Sequence, residues 1–255
     1  MEATSEAPSP PETPEERGRS LRTAATITAA VGALHAVLFL VAWFLAADAP
    51  SADATNAEIA EYYSSPESRR LLLVGLYVMP FAGIAFVWFI VALRMWEEGA
   101  TTHRSALQSN LQLVSGIVYV ALFFVASASA TVLAASIEFA DGDIDPVAAR
   151  EFPVFGSTVL FVFAFRMAAM FVFTTSSLGS RAGILPRWFA WSGYAVGLFL
   201  LLSASFKQWF VLVFPIWLFV LSILLLLSAR RIDPEMRLPR SRLLVPQAPA
   251  RRVPR

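Results

Sequence analysis

The chain has no cysteine in its 255 residues. Disulfides, thiol nucleophiles and iron–sulfur centres are therefore excluded. Histidine occurs twice, at His35 and His103, too sparse for a His-rich metal centre. Lysine occurs once, at Lys207; every other basic side chain is arginine. Charged residues make up 15% of the chain, against about 25% in an ordinary soluble domain. The formal net charge of +1 does not fit a nucleic-acid binder, and no cofactor is expected.

What is present is apolar sequence. Hydrophobic residues reach 57% and mean hydropathy is +0.61. Six apolar runs cover 24–47, 70–93, 111–136, 154–177, 188–206 and 208–228. Each is about 20 residues, the length a helix needs to cross a hydrocarbon layer of roughly 30 Å. The expected fold is all-α: a polytopic six-helix bundle over 23–229, with the lipid bilayer as its first partner. Residues 1–22 hold Pro8, Pro10, Pro11 and Pro14 among five glutamates, and residues 230–255 are rich in arginine and proline. Both ends are expected to be disordered. The polar start is not expected to be a signal peptide.

Orientation follows from the basic residues. With the N-terminus inside, the inner segments carry Arg17, Arg19, Arg22, Arg94, Arg104, Arg181, Arg187, Arg230, Arg231, Arg237, Arg240 and Arg242. The outer segments carry only Arg69, Arg70, Arg150 and Lys207. This bias places both termini in the cytoplasm. Trp43 and Trp209 are expected near outer ends, Trp96, Trp188 and Trp191 near inner ends, and Trp217 packed inside its helix.

Two outer loops carry helix signals. Thr55-Asn56-Ala57-Glu58 reads as a capping box, with Ile59, Tyr62 and Tyr63 on one apolar face. Asp145 followed by Pro146 reads as an N-cap and first helical residue. Gly193 and Gly197 form a GxxxG pair, and the Ala/Ser run 126–130 is a second place for close helix approach.

One residue breaks the apolar pattern. Arg166 stands near the middle of the fourth run, about 18 Å from either end. A cation at that depth costs from about 3 to more than 10 kcal/mol unless it is partnered. None of the six runs contains Asp or Glu. Pro80 removes an N–H near the middle of the second run and frees the carbonyl of Leu76. His35 lies at mid-depth in the first run. Shared depth motivates a polar intramembrane site of Arg166, His35 and Pro80. For His35 the alternatives are an interhelical hydrogen bond, or a proton relay or ligand contact.

Enzyme chemistry finds no support. Glu97-Glu98 with His103-Arg104 is superficially like a glutamate-pair membrane protease. That signature requires Arg at position 101, where Thr101 stands, and later His ligands that the chain does not have. No nucleophile is paired with a base, so a non-enzymatic protein is expected. Its function is expected to be binding or passage of a small anionic ligand at Arg166. The alternative is a structural or regulatory subunit acting on other membrane proteins through helix contacts.

The run from Arg166 to Leu178 leads into Leu185-Pro186-Arg187-Trp188 and on to Tyr194. Phe214-Pro215-Ile216-Trp217 follows in the last run, and Ala57-Glu58-Ile59-Ala60-Glu61-Tyr62-Tyr63 stands in the first outer loop. This pattern resembles uncharacterised actinobacterial multi-pass membrane proteins of a domain-of-unknown-function type. The resemblance implies a six-span protein of the bacterial cytoplasmic membrane and transfers no catalytic residue.

Overall fold

The computed structural model describes residues 14–50, 53–100, 106–140, 143–203 and 208–230. Among these the structure is all-helical. Helix α1 spans Pro14–Leu45, α2 Asn56–Ser64, α3 Ser68–Leu73 and α4 Met79–Ala100. Helix α5 spans Ala106–Ala140, α6 Pro146–Thr158, α7 Phe165–Arg181, α8 Arg187–Leu202 and α9 Val213–Arg230. A π-helical stretch, Val74–Val78, joins α3 to α4, and a second, Val159–Ala164, joins α6 to α7. A short 3-10 turn, Gln208–Leu212, leads into α9.

Among the described residues, five helical units are long and apolar enough to cross a membrane: Arg22–Leu45, Ser68–Glu97, Ala106–Ala140, Pro146–Arg181 and Trp209–Ala229. Helix α8, in the fifth apolar run, is shorter. Its 16 residues measure about 24 Å, and it ends at Leu202 instead of continuing towards residue 206. The expected boundary at residue 22 also shifts: α1 already begins at Pro14, so residues 14–22 are helical. The remainder of the N-terminal segment, the tail from 231 onward, His103 and Lys207 lie outside the described residues.

The long helices and α8 close a ring in the order α1, α4, α5, α7, α8, α9 and back to α1. Neighbours in the ring run antiparallel. Aromatic side chains fill its axis. Phe86, Phe89, Tyr119, Phe123, Phe165, Phe171, Phe189 and Phe214 are all buried. Phe86 stands edge-on to Phe171 at 5.3 Å and to Phe214 at 5.6 Å, which ties α4 to α7 and to α9. The outward faces carry large apolar side chains, including Phe44, Phe81, Trp88 and Trp191. A water-soluble monomer rarely exposes so much contiguous apolar surface; a lipid-facing one must.

Close approach between helices uses small residues. A Cβ on Gly156 of α6 would stand 2.7 Å from the Ala126 carbonyl of α5. Ser129 donates to the Phe152 carbonyl at 2.6 Å across the same contact. The 126–130 run therefore does pack closely, against α6. Gly193 and Gly197 lie against Ser176 and Phe173 of α7, so the GxxxG face is covered within this chain and is not an open surface. Helix α7 ends where Gly183 takes φ 69°, a left-handed conformation suited to glycine. The N–H groups of Ile184 and Leu185 then bond back to the Gly179 carbonyl.

At one end of the ring α2, α3 and α6 build a cap. The Thr55 capping box forms: the Thr55 side chain accepts from Glu58 N–H, and the Glu58 carboxylate accepts from the Thr55 N–H at 2.7 Å. Ile59, Tyr62 and Tyr63 are buried against Leu71, Leu133 and Ala149. Asp145 caps α6 by accepting from Val147 N–H at 2.9 Å. Helix α6 continues through the π-helical stretch into α7, so the expected loop helix and the fourth span are one rod, Pro146–Arg181.

Candidate functional site

The three residues expected to share a polar spot occupy two separate environments. His35 is fully buried on α1. Its Nδ1 donates to the Ala82 carbonyl of α4 at 2.8 Å. A carbonyl only accepts, so the proton is on Nδ1, and Nε2 has no partner among the described residues. Five rings enclose the imidazole: Phe39, Phe86, Tyr119, Phe123 and Phe214, with centroids 4.8 to 6.4 Å away. The Tyr119 hydroxyl is also buried and has no hydrogen-bond partner among the described residues.

Pro80 lies two residues before Ala82, at the start of α4 and just past the Val74–Val78 π-helical stretch. There the Met79 N–H bonds to the Val74 carbonyl, five residues back. The wider turn lets the helix pass a residue that has no N–H to give. His35 thus meets the backbone next to Pro80, through the carbonyl of Ala82 instead of Leu76.

Arg166 is half-buried in the first turn of α7. Its Nη1 donates to the Val162 carbonyl and, at 3.5 Å, to the Phe161 carbonyl. Both acceptors belong to the Val159–Ala164 π-helical stretch, where the Phe165 N–H reaches the Leu160 carbonyl five residues back. The return from five-residue to four-residue spacing skips a carbonyl, and the guanidinium stands over that junction. Among the described residues no hydrogen bond joins Arg166 to His35.

A second buried polar group was not foreseen. Glu97 of α4 is 4% exposed, Gln112 of α5 3%, and Thr175 of α7 1%. Gln112 Nε2 donates to Glu97 at 3.2 Å and to Thr175 Oγ1 at 2.9 Å. One amide therefore ties three helices together at the end of the ring opposite the cap. Near it, Gln108 of α5 donates to Ser177 of α7 at 3.2 Å. The second apolar run, 70–93, stops four residues short of Glu97. The readable signal was the polar position Gln112 near the start of a long apolar helix. Trp96, expected as a surface anchor, is 3% exposed and packs into the bundle beside this group. Trp188, Trp191 and Trp209 are exposed as anchors should be, and Trp217 is buried.

At the capped end Arg150 of α6 donates to the Ala54 carbonyl and to Asn56 Oδ1, each at 2.7 Å. A cleft of about 250 Å³ lies at the far end of α2, with Tyr63, Ser65, Arg69 and Glu138 in its wall. Arg69 and Glu138 approach to 3.9 Å and are both solvent-exposed, so this ion pair contributes little. Burial holds the Tyr63 phenol above its usual range and pushes that of Tyr62 up to about 12. Among the described residues no cluster of three or more His, Asp or Glu could hold a metal.

The chain was compared with protein-family models, with curated proteins and with solved structures, and none of the three gave a match.

Proposed function

We propose that the chain is a six-span protein of the bacterial cytoplasmic membrane, with both termini in the cytoplasm. In this reading it is non-catalytic and acts on other membrane components through contacts in the plane of the bilayer. The sixth crossing is α8, a 16-residue apolar helix whose start is anchored by Trp188 and Trp191. The arginine asymmetry supports the cytoplasmic termini.

The observation that carries this reading is the closed axis. His35, Phe86, Tyr119 and Phe214 meet ring against ring at the centre of the helix ring. That packing disfavours passage of a solute along the axis. The anionic-group reading of Arg166 keeps one supporting fact: its guanidinium is half-buried and its described bonds use Nη1 alone.

Reporter fusions placed after residues 50, 103, 142, 183, 205 and 255 test the layout. They should alternate between outside and inside and finish inside. An odd number of crossings, or an external tail, refutes it. Vesicles containing the purified protein should retain a small anionic dye as well as protein-free vesicles do. Faster leakage refutes the non-conducting reading.

A further inference from the structure

Resting on that reading of in-plane contacts, we propose that Arg166 marks a lateral docking face for a membrane helix of another protein, one that carries a carboxylate at mid-depth. Arg166 is twenty residues past Pro146 and fifteen before Arg181 in one continuous rod, about 30 and 22 Å from its ends. It lies on the outside of the ring. Phe163, three residues earlier on the same face, is 54% exposed, and Met170, four residues later, is half-buried. The axial side of the same helix is a different surface: Phe165, Ala168, Phe171 and Val172 are fully buried.

The two backbone carbonyls satisfy Nη1 without neutralising the charge. A guanidinium at this depth retains a strong demand for an anion. Three sources of anion fail on geometry. Lipid headgroups lie at the bilayer surfaces, about 15 Å from its centre. An aqueous anion finds no wet route: the axis is filled by aromatic packing, and the outer face at this depth meets hydrocarbon. A second copy of the chain has no Asp or Glu in its six apolar runs. Its buried Glu97 is level with Thr175, nine residues or about 14 Å along α7 from Arg166. A helix of another protein, with Asp or Glu near its centre, brings the carboxylate to the correct depth and accepts the forked N–H pair of arginine.

The test uses the full-length chain, donor-labelled, in phosphatidylcholine vesicles with acceptor-labelled poly-leucine transmembrane peptides. One peptide has Glu at its centre, one has Gln there, and one has Glu near an end. Energy transfer should report roughly tenfold tighter association with the central-Glu peptide. That preference should vanish in Arg166→Gln and persist in Arg166→Lys. Equal association of all three peptides with the unaltered chain overturns the proposal, and this arm needs no variant to fold. A preference that survives in folded Arg166→Gln overturns it too. Self-association between differently labelled copies that depends on Arg166 assigns the face to a second copy and overturns it. Energy transfer that requires anionic lipid assigns the face to lipid, with the same consequence. Failure of the underlying reading is detected elsewhere, in the fusion map and the dye retention.

Discussion

His35 of α1 is bonded through Nδ1 to the carbonyl of Ala82 of α4 at 2.8 Å, and five aromatic rings seal the pair from both water and lipid. Because the donor and the acceptor belong to different helices, the bond fixes the rotation of α1 against α4 where they cross. His35→Phe keeps the volume and removes the bond. It should lower stability by about 0.5–2 kcal/mol. His35→Ala also opens a cavity and should cost about 2–5 kcal/mol. Thermal unfolding in detergent, followed by helical circular dichroism, checks the order of the two. Equal losses would deny the imidazole any role beyond filling space.

The α7–α8 contact is set by the absence of a side chain at Gly193. A Cβ there would collide with Ser176 Oγ, a buried hydroxyl with no hydrogen-bond partner among the described residues. Gly193→Ala should destabilise by about 1–3 kcal/mol through overpacking, whereas Ser176→Ala alone should be close to neutral. The double variant should recover part of the loss, because the collision has lost one partner. Strict additivity in the cycle would place the cost elsewhere.

Arg150 clamps the cap. Replacing it with Met leaves the Ala54 carbonyl and Asn56 without their donor and should cost about 1–3 kcal/mol locally. Hydrogen exchange should quicken in Asn56–Ser64 and stay unchanged in α4 and α9. Uniform quickening across the ring would mean that the cap and the bundle unfold together.

The cap should also respond to pH at both extremes. Hydrogen bonds from the Thr55 backbone and side chain hold the Glu58 carboxyl below its ordinary value of 4.5. A depressed carboxyl contributes stability above its unfolded value, and that contribution is lost as pH falls through the folded one. Tyr62 behaves in the opposite sense. Its pKa rises from 10.0 to about 12, so the cap is favoured below pH 10 and loses that advantage as pH climbs through about 12. Amide protection of Ile59 and Ala60 should fall off at the acid end, and Glu58→Gln should flatten that limb. Tyrosine absorbance should trace the alkaline limb. An acid limb unchanged in Glu58→Gln would remove the capping box as its cause.

Much of the cap was readable from local chemistry. Thr55 and Glu58 signal one helix start and Asp145 with Pro146 another, because capping depends on residues a few positions apart. The apolar runs likewise announced the long helices, since hydrocarbon thickness alone sets their length. The partners of His35 and Arg166 were not readable. Ala82 differs from any other alanine only by its place in the packed bundle. The carbonyls that meet Arg166 depend on a π-helical turn that no residue type announces. Gly193 and Gly197 declared close approach truthfully but left open which helix approaches. Burial of Glu97 was concealed for the same reason: its cover comes from Gln112 and Thr175, far along the chain.

The uninterrupted rod Pro146–Arg181, 36 residues long and thus about 54 Å from tip to tip, has a mechanical consequence. It carries the Arg150 clamp at one extremity and Thr175 near the other, so a displacement of the cap is carried along a single helix towards the Gln112 group. The ladder of that rod is interrupted at Pro153 and again where the spiral widens, between Val159 and Ala164, and Arg166 grips the second joint.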